Sequence, residues 1–398
     1  MKTIQDQNFN SQKVLVRCDF NVPLYKETRE ITDDTRIRES LPTIKKLLAD
    51  GASLILMSHL GRPSETGFEE KFSLKPVAEH LSKLLGINVK LAEDIFETKT
   101  IENAKNLKPG EVLLLENLRF LPGEQKGDAA FAKYLADLGD AYVNDAFGTA
   151  HRAHASTAVI AQFFPDKKYF GFLLANEITN LEKLLNHAQK PFTAIIGGAK
   201  ISSKIDILKN LIPKVDNMII GGGMAYTFIK AMGGEIGNSI CENDKLDLAK
   251  DIIKEMDAKG VKYYFPTDSV CGENFDNNTE IKVFPSNAIS AGWQGMDAGP
   301  ESVKTFEKII SESKTILWNG PMGVFEFSSF GHGTTAIAKA VATATKNGAF
   351  SAIGGGDSVA AINQNKLADQ MSYISTGGGA MLEYLEGKTL PGIAAILN

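Results

Sequence analysis

Four short stretches gather side chains that can hold an anion: RCDFN at 17–21, SHLGR at 58–62, ENLR at 116–119 and NDAFGTAHR at 144–152. All seven arginines (Arg17, Arg29, Arg36, Arg38, Arg62, Arg119 and Arg152) lie before residue 153, and every later cationic chain is a lysine. Guanidinium groups suit bidentate contact with carboxylate or phosphate, whereas lysine acts as a mobile point charge. The later sequence repeats another pattern: GGAK at 197–200, GGGM at 221–224, NGPMG at 319–323, GGGDS at 354–358 and STGGGA at 375–380. Glycine lets backbone amides approach a bulky phosphate-bearing ligand, and a helix starting there aims its N-terminus at the anion.

Each cluster has a plainer explanation. A single arginine is more often a surface ion pair than a ligand. One GGG is often only a turn, Asp357 after GGG can be a helix N-cap, and Lys200 and Lys204 stand four apart as surface lysines do. The spacing fits neither GxxxxGK[ST] nor GxGxxG. His151 and His154 lack a clear third ligand, so zinc is not expected there.

Position in the elements decides between these readings. Apolar runs at 13–20, 52–60, 111–120 and 140–147, then 192–198, 217–223, 261–266, 315–320 and 351–356, alternate with amphipathic helical stretches. That alternation predicts repeated βα units and parallel sheets, an α/β fold. Helical stretches ending at Gly51, Gly86 and Gly260 carry the expected C-terminal glycine, and the last, from Glu242 to Lys259, is expected to turn Leu246, Ile252, Ile253 and Met256 inward. Ligands of open α/β sheets sit beyond the carboxyl ends of the strands, where the arginine and glycine clusters both fall. The bare pattern therefore suggests two sites, one for a small acid and one for a nucleotide.

Length and composition bound the alternatives. At 398 residues, 43% hydrophobic and 23% charged, the chain can bury a large core and is expected to form two domains, not a disordered or disulfide-stapled protein. Cys18, Cys241 and Cys271 are widely spaced without CxxC, as in a reducing compartment. A net charge of −5, with no apolar run of membrane-spanning length, gives no case for nucleic acid or membrane as partner and points to a cytoplasmic protein. The stretch at 171–190 reads as a helix spanning the domain boundary, between a domain at 1–170 and one at 191–375.

The chain closely resembles the phosphoglycerate kinases from about residue 13 to its end. The resemblance rests on VRCDFNVPL (16–24), DDTRIRESLPTI (33–44), SHLGRP (58–63), LLLENLRF (113–120), NDAFGTAHRAHAS (144–156), GGAKISSKI (197–205), GGGMAYTF (221–228), GPES (299–302), WNGPMGVFE (318–326), GGGDS and STGGGA. It implies two doubly wound, Rossmann-like parallel-sheet domains joined by a helix, with residues 376–398 packing back on the N-terminal domain, in a monomer. It also implies reversible phosphoryl transfer between 1,3-bisphosphoglycerate with Mg-ADP and 3-phosphoglycerate with Mg-ATP, by hinge-bending closure.

Carried over by position, Asp19, Phe20 and Asn21 match contacts to the glycerate. His59, Leu60, Gly61, Arg62, Arg119 and Arg152 match the stretches holding the phosphate that is not transferred. Arg36 and Lys200 match the cations at the transferring phosphoryl, with Gly356 and Gly379 as amide donors. Gly198, Lys204, Gly221, Gly222, Gly295, Met296, Asn319, Pro321, Glu326, Gly355 and Ser358 match nucleotide contacts, and Asp357 the carboxylate linked to Mg²⁺. Cys18 replaces a usual valine and, by strand alternation, is expected to fill the core. Two other readings stay open: a sensor that binds acid and nucleotide without turnover, and a kinase for a different small carboxylate.

Overall fold

Parallel strands buried on both faces need apolar residues at every position, and that requirement sets the two sheets of this protein. A computed structural model describes residues 1–92, 94, 95 and 98–398. The chain divides into two units, Met1–Thr179 with Thr389–Asn398, and Asn180–Lys388.

In the first unit, β1 (Lys13–Arg17), β2 (Ser53–Met57), β3 (Val89–Ala92), β4 (Val112–Leu115), β5 (Ala141–Asn144) and β6 (Lys168–Phe170) form one parallel sheet in the order β3-β4-β2-β1-β5-β6. The crossovers carry α1 (Thr35–Ala49), α2 (Lys75–Leu85), α3 (Thr98–Lys105), and the pair α4 (Pro122–Lys126) and α5 (Ala129–Ala136). Register aligns Val14 with Leu54 and Ala141, and Val16 with Leu56 and Val143. These residues share one face, and with Ile37, Ile44 and Leu47 of α1 and Val77 and Leu81 of α2 they form one buried cluster. Cys18 continues that face and is fully buried, as its alternation predicts. The helix α6 (Phe172–Asn186) follows, and the division between units falls inside it.

The second unit also builds a six-stranded parallel sheet, from β7 (Phe192–Ile196), β8 (Asn217–Ile220), β10 (Lys262–Tyr264), β15 (Thr315–Asn319), β16 (Phe350–Gly354) and β17 (Tyr373–Ile374), but in a different strand order, β10-β8-β7-β15-β16-β17. Between β8 and β10 lies β9 (Glu235–Ile236); β11 (Asp268–Gly272), β12 (Ile281–Pro285), β13 (Ala288–Ile289) and β14 (Gln294–Ala298) precede β15. Its helices are α7 (Ile205–Leu211), α8 (Met224–Ala231), α9 (Leu246–Lys259), α10 (Pro300–Glu312), α11 (His332–Lys346), α12 (Gly356–Gln364) and α13 (Gly378–Leu385). Ile195, Ile219, Trp318 and Ile353 stand in register and pack on Phe306 and Ile310 of α10 and Ile337 and Val341 of α11.

Residues 376–388 belong to the second unit, and the stretch that belongs to the first is Thr389–Asn398, with α14 (Pro391–Leu397). There the Gly392 amide donates to Ala150 O at 2.8 Å, and Asn144 Nδ2 donates to Gly392 O at 3.5 Å. Among the described residues no helix is long and apolar enough to cross a membrane.

The structure corrects several readings. The first-unit strands stop earlier, at Arg17, Met57, Leu115 and Asn144, because side chains take over from the ladder. Ser58 Oγ accepts from Phe20 N at 2.8 Å, and Asp19 Oδ1 from Asn21 N at 3.2 Å. α9 starts at Leu246, and Ala249, Ile252 and Met256 are its buried residues, while Leu246 and Ile253 are half-buried. The antiparallel sheet β12-β11-β14 was not foreseen.

Leu56 is fully buried between β1 and β4, so Leu56→Ala is expected to cost about 2–5 kcal/mol. Hydrogen exchange of the β1, β2 and β4 amides should register the loss; unchanged protection would contradict the shared core.

Candidate functional site

Both sheets reverse their strand order beside the first strand, at β1/β5 and at β7/β15, and ligand crevices open at such points. In the first unit the chain leaving β1 turns Asp19 toward α1. Arg36 Nη1 lies 3.2 Å from each oxygen of Asp19 and 3.1 Å from Asn21 O. All three bonds use one nitrogen, so Nε and Nη2 of this partly exposed guanidinium can meet another partner. Asn21 Oδ1 accepts from Gly61 N at 2.8 Å, which ties the end of β1 to that of β2. Arg119 Nη1 in turn donates to Gly61 O at 2.9 Å.

Behind these groups lies a buried charge that sequence reasoning did not single out. Arg17 is fully buried; its Nε donates to Ser156 Oγ at 2.8 Å, and Ser156 donates to the equally buried Glu124 at 2.6 Å. Its Nη2 faces His59 Nδ1 at 3.4 Å. Burial, and then the guanidinium groups of Arg17, Arg119 and Arg36, hold the His59 imidazole well below its usual range. Burial likewise pushes His154 down to about 3. Both rings are therefore neutral near pH 7. Arg119 is lowered to about 10, first by burial and then by Arg17, and its Nε is buried without a hydrogen-bond partner. Arg62 and Arg152 are exposed, whereas Phe20 and Leu60 are buried and can offer a ligand only backbone. The arginines outnumber the carboxylates of Asp19, Glu116 and Glu124 beside them, and that excess suits a multiply charged anion.

In the second unit, backbone bonds from Gly197 N to Asn319 O (2.9 Å) and from Gly198 N to Pro321 O (3.2 Å) join the ends of β7 and β15. A cleft of about 420 Å³ opens beside them. Of the residues expected at the nucleotide, Gly198, Gly222, Gly295, Met296, Pro321, Glu326 and Asp357 line it. Phe275, Ile240 and Met322 line it too, and nothing in their spacing marked them. Gly295 admits no side chain, because a Cβ there would strike the Tyr226 hydroxyl.

The other expected residues stand around the cleft or beneath it. Lys204 Nζ donates to Asn319 Oδ1; burial lowers this lysine, while Asp357 nearby favours its charge. Asn319 is fully buried and its Nδ2 has no hydrogen-bond partner. Gly355, at φ +87°, sits where a Cβ would come within 3.0 Å of that nitrogen. Ser358 is buried and its Oγ accepts from Gly320 N at 2.6 Å, so its side chain serves the loop. Gly221 packs on Met322. A Cβ on Gly378 would stand 3.5 Å from Gly355 Cα, so the starts of α12 and α13, with exposed Gly356 and Gly379, lie side by side. Lys200 is exposed. Asp357, exposed on the first turn of α12, is the carboxylate of the cleft besides Glu326, and among the described residues no three His, Cys, Asp or Glu gather as a metal cage.

A guanidinium-lined strand edge and a glycine-lined cleft on one chain are the equipment of a phosphotransferase with a small anionic acceptor. A family model described as phosphoglycerate kinase matches residues 4–388. The chain is 51% identical to the phosphoglycerate kinase of Porphyromonas gingivalis (strain ATCC BAA-308 / W83), covering 99% of each. It is 52% identical to a cytosolic phosphoglycerate kinase of Triticum aestivum, covering 99% of this chain and 97% of the relative. The solved phosphoglycerate kinase structure from Coxiella burnetii superposes with a TM-score of 0.91 at 42% identity, covering 99% of this chain and 98% of that one. The chain belongs to the phosphoglycerate kinase family, whose members are kinases that act on nucleotide substrates.

Because burial and the arginines depress both rings, the imidazole resonances of His59 and His154 should pass through the ordinary histidine range near pH 6.5 without a midpoint in a two-dimensional NMR titration. A midpoint near 6.5 for either would place that ring in water.

Proposed function

We propose that this protein transfers a phosphoryl group between ATP and the carboxylate of 3-phosphoglycerate, with the acid on the first unit and the nucleotide on the second. The observation that carries the reading is the grouping of Arg36, Arg119 and the neutral His59 around the ends of β1, β2 and β4. In it, Arg62, Arg119, Arg152 and His59 hold the phosphate already on the acid, and Asp19 and Asn21 orient the glycerate.

The acceptor carboxylate is ionised at neutral pH, so no general base is needed. Its oxygen forms the new P–O bond as the bond from the γ-phosphorus to the β–γ bridging oxygen breaks, and ADP leaves with that electron pair. Catalysis then consists of lining up two anions and neutralising the charge in flight. Arg36 supplies one cation and Lys200 the other, while the amides of Gly356 and Gly379 add donors at the starts of α12 and α13. Lys204 and Asn319 hold nucleotide phosphates, and the walls at Gly222, Gly295 and Met296 take the base.

The residues fit a Mg²⁺ ion that arrives with the nucleotide. Of the two exposed carboxylates at the cleft, Asp357 and Glu326, Asp357 is the one near Lys204, which suits a cation taking its remaining ligands from phosphate oxygens and water. When bound, such an ion neutralises phosphate charge.

The test is ADP formation from ATP and 3-phosphoglycerate, with EDTA as the metal-free control. Arg36→Ala should lower kcat about 10²- to 10³-fold while the KM for ATP stays within about twofold, as for loss of one transition-state donor. Near-normal turnover in that variant would remove Arg36 from the transfer step. Asp357→Asn should raise the Mg²⁺ concentration needed for half-maximal rate, and an unchanged requirement would move the ion elsewhere.

A further inference from the structure

We infer that Asn117, a residue outside the ligand-contacting set, is the positioning residue for the phosphate-holding edge of the first unit; this rests on the reading that 3-phosphoglycerate binds there. Asn117 is fully buried just past β4. Its Nδ2 donates to Leu60 O at 2.7 Å and to Phe72 O at 3.0 Å, and its Oδ1 accepts from Arg119 N at 3.1 Å. Both amide hydrogens are thus used, on two different backbone segments, while the oxygen holds a third. Those segments are the exit of β2 with Gly61 and Arg62, the turn leading into α2, and the turn carrying Arg119.

Neighbouring bonds make the junction a unit. Asn117 N donates to Glu116 Oε1 at 2.7 Å, and the same carboxylate accepts from Leu74 N and Ser73 Oγ, each at 2.7 Å. Glu116 is itself buried, so the α2 entry is locked to the end of β4. Gly61, at φ +62°, lies so close to the Phe72 ring that a Cβ would strike it. The Arg119 side chain returns to Gly61 O, next to the Leu60 carbonyl that Asn117 holds, while the Arg119 amide is bound by Asn117 itself.

An aspartate at this position keeps the volume and the acceptor but loses both donors, and it sets a carboxylate against two carbonyl oxygens. The experiment is steady-state kinetics of Asn117→Asp with each substrate varied in turn. The KM for 3-phosphoglycerate should rise about tenfold or more, the scale of one or two lost buried hydrogen bonds, while the KM for ATP stays within about twofold. The thermal shift produced by 3-phosphoglycerate should shrink, and that produced by ATP should persist. Should Asn117→Asp fail to fold, Asn117→Ser, which removes the amide without adding charge, carries the same test. An unmoved KM for 3-phosphoglycerate, or equal increases in both KM values, overturns the positioning role. A wild-type enzyme that does not turn over 3-phosphoglycerate overturns the reading beneath it instead.

Discussion

Guanidinium groups repel one another, and the architecture of the first unit follows from holding several of them together. The buried Arg17 has no solvent to disperse its charge; Ser156 and Glu124 answer it from segments more than a hundred residues away. Asp19 does the same for Arg36, through one nitrogen only. Removing Glu124 would leave the Arg17 charge buried and uncompensated, which is far more costly than losing a surface ion pair. The neutral state of His59 follows from the same crowding: a further positive charge among these groups is disfavoured, so the ring remains a hydrogen-bonding group and not a cation.

The second unit meets the opposite constraint. Its strand ends are lined by backbone, and side chains are absent where neighbours crowd it, as at Gly295 against Tyr226 and at Gly355 against Asn319. Charge there is sparse and local, with Lys204 braced by Asn319 and Asp357 alone on the first turn of α12. Two six-stranded parallel sheets thus carry different chemistry at their strand ends, because the residues after the strands differ while the strands of both are apolar.

Much of this was legible in the sequence. The central strands of both sheets are apolar runs, and the polar and glycine clusters read after them do stand at the strand ends. The edge strands β3, β6 and β17 escaped notice because two to four residues leave no periodicity. The sheet of β11, β12 and β14 escaped because β12 is largely exposed and carries no continuous apolar face. Arg17 looked like the other arginines, since its burial depends on Ser156 and Glu124, which no local pattern connects to it. Glu124 itself lies outside every stretch that was singled out. Asn117 and Glu116 stood within a recognised stretch, yet their importance lies in which distant carbonyls and amides they reach, and that is a property of the fold.

The packing of α14 within the first unit bears on the order in which the protein is made. That unit is assembled from two separate runs of chain, and the bond from Gly392 N to Ala150 O joins a segment translated after the whole second unit to the segment just before Arg152. The second unit is a single continuous run. On the ribosome, where domains tend to fold in order of emergence, the first unit is translated first but completed last. Until α14 emerges, the strand ends of the first unit can form only on a scaffold that lacks that helix.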